Sequence, residues 1–502
     1  MKNNKGFTTI YLLGLLLLVF MIGSSLVFLS QSNNKNSLRS QKTGEALYIS
    51  DGGIEKAIWE FSKSDAYTGE SNTPLGNGSF SVAVTQLSET RYQLISTGVM
   101  NNGGLKVTKK IKAVIEKDPI SHVFDYCYFI NNWGWYWGHD ITAVGDIRSN
   151  GRFDFVDGPK VEGDIYAGEE IDDHGTPIRG IGGDAAHQHE YADKLPMPNL
   201  QSLDYYEAKA VASNGTIVIN GTTIINNVYG DDPGESGNIV LVGTSSNPIE
   251  ITGTVVVRGD LVIKGKITGQ GTLYAGRNIY VADNLEYKNA PVSPRPAQGQ
   301  TKDQWVAAQH DKDMVAYAAK GSIILGDYTK STQYGYNGSD KWYSDQYLFD
   351  MGDEDVGLDG IPDTGDPGEG DGVFDPATED LDGDGAWDHD YTWSDVQTQA
   401  DISTFDNLPA GVTQFSQLAS NSASKIEGIY YTNHAWAGRT GNAALVNGSI
   451  ISKDEAIIYR SGLTFNYDER ANSRYNDDPN RFIDLGLPRI RGVFLISWQE
   501  IR

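Results

Sequence analysis

The most apolar part of the chain is the run from Phe7 to Leu29, and no charged residue lies between Lys5 and Lys35. Coiled as a helix at about 1.5 Å per residue, this run would extend roughly 35 Å, which is enough to cross a bilayer. A cleaved secretion signal has a shorter apolar part that ends at a small-residue site, and Gly23-Ser24-Ser25 matches such a site only weakly. The run therefore predicts a membrane-spanning helix, with a plain single-pass anchor and a cleaved signal as the alternatives.

Helical spacing continues beyond the apolar run. Leu47, Ile54, Ile58 and Phe61 recur at intervals of seven, four and three, with charged residues between them. This period predicts one helix over residues 7–63. The pair Gly52-Gly53 inside it would cost about 2 kcal/mol relative to two alanines, so we expect a bend or a close packing point there.

Between residues 249 and 285 the apolar positions recur every six residues. Helices do not repeat at six, whereas short strands joined by Gly, Asp or Asn turns do so when they stack as coils of a β-solenoid. The repeating positions are Ile249, Val255, Leu261, Ile267, Leu273, Ile279 and Leu285. The turns VGDI at 144–147, EGDI at 162–165 and RGDL at 258–261 follow one pattern. We predict a β-solenoid over 119–290 with an excursion at about 183–235; an antiparallel sandwich is the alternative.

Composition limits the partners of the chain. Its 502 residues carry a net charge of −26, which argues against binding to nucleic acid or to anionic lipid and favours cations. The single cysteine, Cys127, excludes an internal disulfide. The length is sufficient for about three domains.

An acidic segment at 342–395 carries the most specific chemistry. Sixteen acidic residues lie between 350 and 390, and no Lys or Arg occurs from 342 to 424. Calcium loops place oxygen ligands at positions 1, 3, 5, 7 and 9, with glycine at position 6. In DLDGDGAWD, the carboxylates of Asp380, Asp382, Asp384 and Asp388 occupy positions 1, 3, 5 and 9.

A looser match, DVGLDGIPDTGD, precedes that loop, and a further Asp-Gly unit lies between the two. The predicted Ca²⁺ ligands are Asp355, Asp359, Asp363, Asp366, Glu369, Asp371, Asp375, Asp380, Asp382, Asp384 and Asp388. The segment resembles thrombospondin type-3 and dockerin-like calcium repeats, although Tyr391 stands where such a loop has its last carboxylate. Sites of this kind suit extracellular calcium. A disordered acidic linker is the alternative.

Three smaller features are candidate sites. Alternation along a strand would place Trp133, Trp135 and Trp137 of WGWYWG on one face, either as a platform on which sugars stack or as a buried cap over the end of the solenoid. His187, His189 and Glu190 are candidate ligands for a transition metal, although we expect a solvated loop there. Arg258-Gly259-Asp260 matches an integrin-binding tripeptide, but it lies in the repeating turn, so we expect a structural role.

The segment KGFTTIYLLGLLLLVFMIGSS, together with GEALYISDGGIEKAIWEF, resembles the N-terminal module of minor type IV pilins and pseudopilins of the PilX type. The resemblance implies that a prepilin peptidase cuts between Gly6 and Phe7, leaving residues 1–6 as leader, and that Phe7 is N-methylated. It also implies a stem helix that moves from the membrane into a fibre of other pilin stems. Tyr11 stands where major pilins carry a Glu, which favours a minor or tip subunit.

The resemblance extends to about residue 115. The segments GSFSVAVTQL, RYQLISTGVM and LKVTKKIKAVIEK are similar to the small sheet that follows the stem in that family, here within 64–118. We expect 291–341 to be a linker and 396–502 to be a C-terminal β region that extends or closes the solenoid.

The predicted fold is therefore a long N-terminal helix followed by a mostly-β head with an acidic calcium-loop insertion. The predicted function is that of a minor pilus or pseudopilus subunit, anchored by one helix, with its head outside the cytoplasm and open to a surface polysaccharide or protein ligand. We expect no catalytic residues and no nucleic-acid partner. The alternatives are a membrane-anchored, bactofilin-like scaffold facing the cytoplasm and a calcium-dependent β-helix enzyme acting on polysaccharides.

Overall fold

A computed structural model describes residues 5–64, 66–88, 90–102, 105–200, 202–329, 355, 357–358, 367–379, 401–458, 461–476, 478 and 480–501. The chain divides into two compact units, a smaller one of Met1–Pro119 with Arg491–Arg502 and a larger one of Ile120–Ile490. The predicted order, a long apolar helix followed by a mostly-β head, is confirmed.

The helices are α1 (Lys5–Lys63), α2 (Asp204–Ser213) and α3 (Lys302–Ala308). The strands, in chain order, are β1 (Gly69–Leu75), β2 (Gly78–Gln86), β3 (Arg91–Asn102), β4 (Leu105–Lys117), β5 (Tyr128–Ile130), β6 (Gly134–Trp137), β7 (Ile141–Val144), β8 (Ile147–Ser149), β9 (Phe153–Val156), β10 (Lys160–Glu162), β11 (Ile165–Ala167), β12 (Ile171–Asp172), β13 (Gln188–His189), β14 (Thr216–Ile219), β15 (Thr222–Asn226), β16 (Val228–Tyr229), β17 (Ile239–Gly243), β18 (Ile249–Val257), β19 (Leu261–Ala275), β20 (Ile279–Tyr287), β21 (Met314–Ala319), β22 (Ile323–Leu325), β23 (Lys425–Arg439), β24 (Asn442–Ile458), β25 (Ser461–Tyr467) and β26 (Val493–Ile501).

In the smaller unit, the C-terminal third of α1 packs on an antiparallel sheet. Its buried positions recur every three or four residues, as a helix with one buried face requires: Ala46, Ile49, Ser50, Gly53, Ile54, Ala57 and Phe61. The helix is continuous through Gly52-Gly53. A Cβ at Gly53 would lie 2.3 Å from Ser96 Oγ and 2.8 Å from Phe80 Cδ2. The glycine pair is therefore a close packing point.

The sheet of the smaller unit has the order β1-β2-β3-β4-β26. The strands β1 to β4 form an antiparallel meander, and β26 pairs antiparallel with β4, with Val493 opposite Lys117. Our assignment of all of 396–502 to the solenoid region is wrong for this last strand. The sequence of a single strand does not specify which strand it pairs with, so the sheet to which β26 belongs could not be inferred from its own residues.

The larger unit is built mainly from parallel strand pairs. The pairs Ile249↔Ile267, Val255↔Leu273 and Leu261↔Ile279 each join residues eighteen positions apart, which is three of the six-residue steps seen in the sequence. Ile147↔Ile165 and Phe153↔Ile171 keep the same interval. Because each register places an apolar residue over an apolar residue, the repeating positions form one continuous buried core.

The parallel stack does not follow chain order. Strand β24 pairs with β5, with Ile450 opposite Tyr128, and β25 pairs with β7, with Leu463 opposite Ile141. The first strands of the larger unit therefore continue the stack formed by its last strands. The ends of the unit are accordingly neighbours, with Ile120 bridged to Arg489.

Two predicted non-repeating segments contain ordered elements. The proposed linker at 291–341 holds α3, β21 and β22, and both strands are buried along their whole length between β19, β20 and β23. The linker assignment is therefore wrong for residues 302–325, because the six-residue step is lost in the loop before β21 although the stack continues. The predicted excursion holds α2, whose Tyr206 stacks on Tyr274 with ring centroids 4.1 Å apart.

Candidate functional site

The first candidate site is the exposed part of α1. Among the described residues, α1 is the helix that is long and apolar enough to cross a membrane, with a window of mean hydropathy 2.7 of which none is buried. The large apolar side chains between Ile10 and Leu29 are exposed. Gly6 and Phe7 lie in the first turns of this helix, and processing between them remains a prediction.

Part of the acidic segment lies among the described residues. Asp355 accepts hydrogen bonds from the backbone N–H groups of Asp371 (3.1 Å) and Gly372 (2.6 Å). Glu379, which the sequence analysis did not single out, is 2% exposed and accepts from the backbone N–H groups of Gly357 (2.9 Å) and Asp375 (2.6 Å). These carboxylates tie turns of the segment together.

The argument for calcium rests on the type of side chain in this segment and not on a set of ligands already gathered around one point. Carboxylate oxygens are the hard ligands that Ca²⁺ takes, yet Asp355, Glu369, Asp371 and Asp375 do not converge on one point within the described part of the segment. The other predicted ligands lie outside the described residues: Asp359, Asp363, Asp366, Asp380, Asp382, Asp384 and Asp388. Calcium binding therefore stays a prediction.

The second candidate site is the tryptophan row on β6. Tyr136 points into the core, where it stacks on Phe465, while Trp135 and Trp137 point outward beside Trp133. The indoles of Trp133 and Trp135 are stacked at 5.8 Å and 19°, and those of Trp135 and Trp137 lie 5.9 Å apart. Trp133 is 49% exposed and Trp137 is 45% exposed, so the row is an open face and not a buried cap.

A buried carboxylate holds the row in place. Trp133 Nε1 donates a 2.7 Å hydrogen bond to Asp154 Oδ2, and Arg152 Nε donates to Asp154 Oδ1 at 2.6 Å. Arg152 also bonds Asp172 at 2.6 Å and lies 3.2 Å from Glu170. The hydrogen bond with Asp154 raises the pKa of the Arg152 guanidinium, so this centre of the network stays charged.

A groove of about 650 Å³ runs beside Trp133. Its walls carry both hydrogen-bond donors and hydrogen-bond acceptors, including Asn131, Asn132, Glu169 and Lys194. Asn131 Oδ1 accepts a 2.9 Å hydrogen bond from the buried amide of Asn150, which orients it. The tryptophans stand out in the sequence as an alternating motif, whereas Arg152, Asp154 and these wall residues belong to no motif that marks them beforehand.

One cluster among the described residues has metal-ligand spacing, namely Asp154, Asp172 and His174, whose ligand atoms lie within 4.8 Å of one another. Arg152 already bonds both of its carboxylates at 2.6 Å. The backbone N–H of His174, with the charges of His174 and Arg152, holds the pKa of Asp172 below its ordinary value. The guanidinium therefore occupies the place that a metal cation would take.

The two histidines predicted as metal ligands both contact Asp164, whereas the predicted third ligand, Glu190, lies elsewhere. His187 Nδ1 lies 2.5 Å and His189 Nε2 lies 3.2 Å from the two oxygens of Asp164. Glu190 instead accepts a hydrogen bond from the backbone N–H of Ile171 at 2.9 Å. The predicted trio is therefore not assembled as one site.

The Arg258-Gly259-Asp260 turn is engaged within the larger unit. Arg258 forms a two-point ion pair with Glu207 at 2.8 and 3.1 Å. Asp260 accepts a 2.8 Å hydrogen bond from the backbone N–H of Asn278. The tripeptide thus has the structural contacts expected of a repeating turn.

No protein-family model matches the chain, and no curated protein matches it. Among solved structures, it is similar to the crystal structure of the competence-associated pilin ComZ from Thermus thermophilus, with 9% identity and a TM-score of 0.27 over 92% of this chain and 97% of that chain. A similarity at that TM-score carries no argument about this chain. The functional interpretation therefore rests on its own residues.

Proposed function

We propose that the chain is a minor subunit of a type IV pilus or a related pseudopilus, which displays a large β head from a helical stem. The observation that carries this proposal is that α1 has two parts with different surroundings. Its apolar side chains from Ile10 to Leu29 are exposed, while its residues from Ala46 to Phe61 pack on a small antiparallel sheet. One helix thus provides an apolar stem and anchors a folded unit.

The exposed half of α1 needs an apolar environment. At about 25 cal/mol per Å², a helical surface with more than a dozen exposed large apolar side chains is strongly favoured in a bilayer or between other apolar helices. A subunit that is first held in a membrane and then packed against neighbouring stems satisfies this requirement in both states. Other pilin or pseudopilin subunits are the partners that fit it.

In the sequence, the residues of the larger unit, here called the head, lie between β4 and β26 of the smaller unit. We interpret its eighteen-residue parallel registers as a β-solenoid, a rigid architecture that suits display. Calcium bound by the acidic segment would place the head outside the cytoplasm, where the ion is abundant enough for weak sites. In this proposal the protein is a single-pass membrane protein before assembly and a cell-surface fibre component afterwards.

The proposal is tested by the N-terminus and intact mass of native protein from membrane and sheared-surface fractions. Cleavage between Gly6 and Phe7 by a prepilin peptidase predicts a chain that starts at N-methylated Phe7. A Gly6→Val variant should retain residues 1–6 and be lost from the sheared fraction, because a branched side chain replaces the glycine at the cut. Gly44→Val is the control, since a Cβ at Gly44 meets nothing within 4 Å.

A mature chain that keeps Met1 would make α1 an ordinary anchor, and a start near Ser25 would make it a secretion signal. Either result overturns the fibre proposal. The parallel stack also favours a second candidate, a bactofilin-like scaffold facing the cytoplasm. Protease added to intact cells separates the two, because only an external head is cut.

A further inference from the structure

We propose that the tryptophan row and the adjoining groove of the larger unit bind a neutral, β-linked polysaccharide. The inference deepens the proposed function by naming the chemistry of the surface to which the head attaches. It uses only residues 131–194 of the larger unit, so it does not depend on how the N-terminus is processed.

The row offers an exposed apolar strip. The rings of Trp133 and Trp135 are nearly parallel, at 19° with centroids 5.8 Å apart, and the ring of Trp137 is turned by 60° from that of Trp135 at 5.9 Å. Strand β6 is the edge strand of its three-stranded sheet. A sugar whose hydroxyls are equatorial presents a flat face of C–H groups, which packs against an indole as another apolar ring would. A chain of such sugars repeats that face and can contact more than one ring.

The strip is rigid before any ligand arrives. Tyr136 fixes the strand from its core side, and the buried Asp154 fixes the Trp133 indole by a 2.7 Å hydrogen bond. Arg152 holds Asp154 in turn at 2.6 Å. Groups that are held in their binding geometry lose little conformational entropy on association, which strengthens binding.

The groove supplies the polar half of the recognition. Asn131, Asn132, Glu169 and Lys194 line it next to the exposed Trp133, and their amide, carboxylate and ammonium groups can donate to and accept from sugar hydroxyls. Pockets that combine an aromatic wall with a few polar groups are typical small-ligand sites. Its volume of about 650 Å³ accommodates a few sugar units.

The charge balance selects a neutral ligand. The positive charge of Arg152 faces three carboxylates, those of Asp154, Glu170 and Asp172. Lys194 and Glu169 offset each other, and the whole chain carries a net charge of −26. Single-stranded nucleic acid also stacks on aromatic rings, but its sites are positively charged. Uronic-acid polymers and nucleic acids are therefore disfavoured here.

The stacking geometry argues against a small cationic ligand. Cages for quaternary ammonium groups surround the cation with several ring faces, whereas Trp133 and Trp135 lie nearly parallel, at 19° and 5.8 Å apart, and do not enclose a space for a cation. An extended chain that runs along the row matches this arrangement better than a compact cation does.

The test measures retention of the full-length protein on neutral and anionic polysaccharides, in a detergent that has no sugar headgroup. Insoluble cellulose and chitin serve as neutral β-linked probes, and alginate serves as the uronic-acid probe. We expect retention on at least one neutral probe and none on alginate. A cello- or chito-oligosaccharide should elute the retained protein.

Trp133→Ala should weaken binding at least tenfold, and Trp133→Phe, which keeps the apolar ring but loses the indole N–H, should fall between that variant and the parent. Trp498→Ala is the matched control, because Trp498 is also half-exposed (44%) and also hydrogen-bonds a carboxylate through Nε1, that of Asp51, in the other unit. It should bind like the parent. A melting temperature within error of the parent excludes misfolding as the cause.

Absence of binding to both neutral probes would overturn the inference, as would equal binding by Trp133→Ala or a preference for alginate. If the protein is correctly cleaved and fibre-associated but fails to bind glycans, the pilus-subunit function is retained and the glycan-binding inference is rejected. Conversely, a glycan-binding protein that retains Met1 would be an anchored lectin-like protein and not a pilus subunit.

Discussion

The carboxylate of Asp260 accepts a 2.8 Å hydrogen bond from the backbone N–H of Asn278, eighteen residues further along the chain. Asp146 makes the same contact with the backbone N–H of Asp164, at 2.8 Å and the same interval. In both places the Gly-Asp turn of one strand layer binds the turn of the next. The Gly-Asp sequence therefore recurs because its aspartate hydrogen-bonds the backbone of the next turn in the stack.

We expect Asp260→Ala to lower the free energy of unfolding by about 1–3 kcal/mol, because it leaves the N–H of the buried Asn278 without this acceptor. Urea unfolding of the purified chain measures the loss. Asp311→Ala is the control, since that side chain is fully exposed, and it should change stability by no more than about 0.5 kcal/mol. Equal stabilities of the two variants would show that the turn contact contributes little.

The sequence predicted the repeat but not the order of the stack. Aliphatic residues at six-residue steps predicted buried positions, and the structure pairs these positions eighteen residues apart. The pairing of β24 with β5 places Ile450 opposite Tyr128. No local sequence pattern encodes a pairing between residues so far apart in the chain. The same limit applies to β26, which was expected within a C-terminal β region but not in the sheet of the smaller unit.

The candidate binding site was predicted only in part, for a related reason. Alternation correctly placed Trp135 and Trp137 on one face of β6, because strand geometry is local. Asp154 and Arg152 reach Trp133 through the parallel register of β6 and β9, in which Trp135 lies opposite Asp154. That register spans nineteen residues, one more than the repeat, so extending the six-residue pattern would not have found it.

Gly98 should be intolerant of any side chain. A Cβ at this position of β3 would lie 2.2 Å from the carbonyl oxygen of Ala46 and 2.5 Å from the backbone N of Ser50. Since these are backbone atoms of α1, the helix and the strand would have to separate. We expect Gly98→Ala to lower the free energy of unfolding of the smaller unit by about 1–3 kcal/mol, measured by calorimetry in detergent.

Gly44→Ala is the matched control for this packing prediction. Gly44 also lies in the smaller unit, but nothing surrounds its Cβ position within 4 Å. Replacing glycine by alanine inside a helix favours the helix by up to about 1 kcal/mol. The two substitutions should therefore have opposite signs, and a neutral Gly98→Ala would disprove the close approach of helix and strand.

His434 should make stability depend on pH. Burial, assisted by the charge of Lys453, lowers the pKa of His434 to about 4 from an ordinary value of 6.5. Its Nδ1 lies 2.7 Å from Ser322 Oγ. Between pH 6.5 and pH 4 the unfolded chain binds a proton at this residue that the folded chain does not. The free energy of unfolding should therefore fall by about 2–3 kcal/mol as the pH drops through this window.

The contribution of His434 is isolated by comparing melting temperatures from pH 7.5 to pH 4.5. His434→Gln retains a hydrogen-bonding side chain but does not titrate, so its melting temperature should decline less steeply with acid than that of the parent. His139→Gln, at an exposed position, should follow the parent. Parallel curves for the parent and His434→Gln would show that this histidine is not the cause.

Calcium should stabilise the acidic segment, whose described carboxylates of Asp355 and Glu379 bind backbone N–H groups of neighbouring turns. Ions bound by the remaining aspartates would relieve the repulsion of sixteen acidic side chains. For sites with Kd of about 0.1–1 mM, 10 mM Ca²⁺ adds about 1.4–2.7 kcal/mol per site. Melting temperature and protease cutting within 342–395 measure the effect on full-length protein freed of metal by a chelator.

The paired variant Asp382→Asn with Asp384→Asn should lose most of the calcium effect, because it removes two ligands from the loop that best matches the calcium pattern. Asp311→Asn, which removes one carboxylate charge at a fully exposed position outside the segment, should keep it. Magnesium should substitute poorly, since it demands a smaller octahedral shell and gives up water reluctantly. If chelator leaves both the melting temperature and the protease pattern unchanged, the segment is an acidic spacer. The external location of the head would then rest on the stem helix alone.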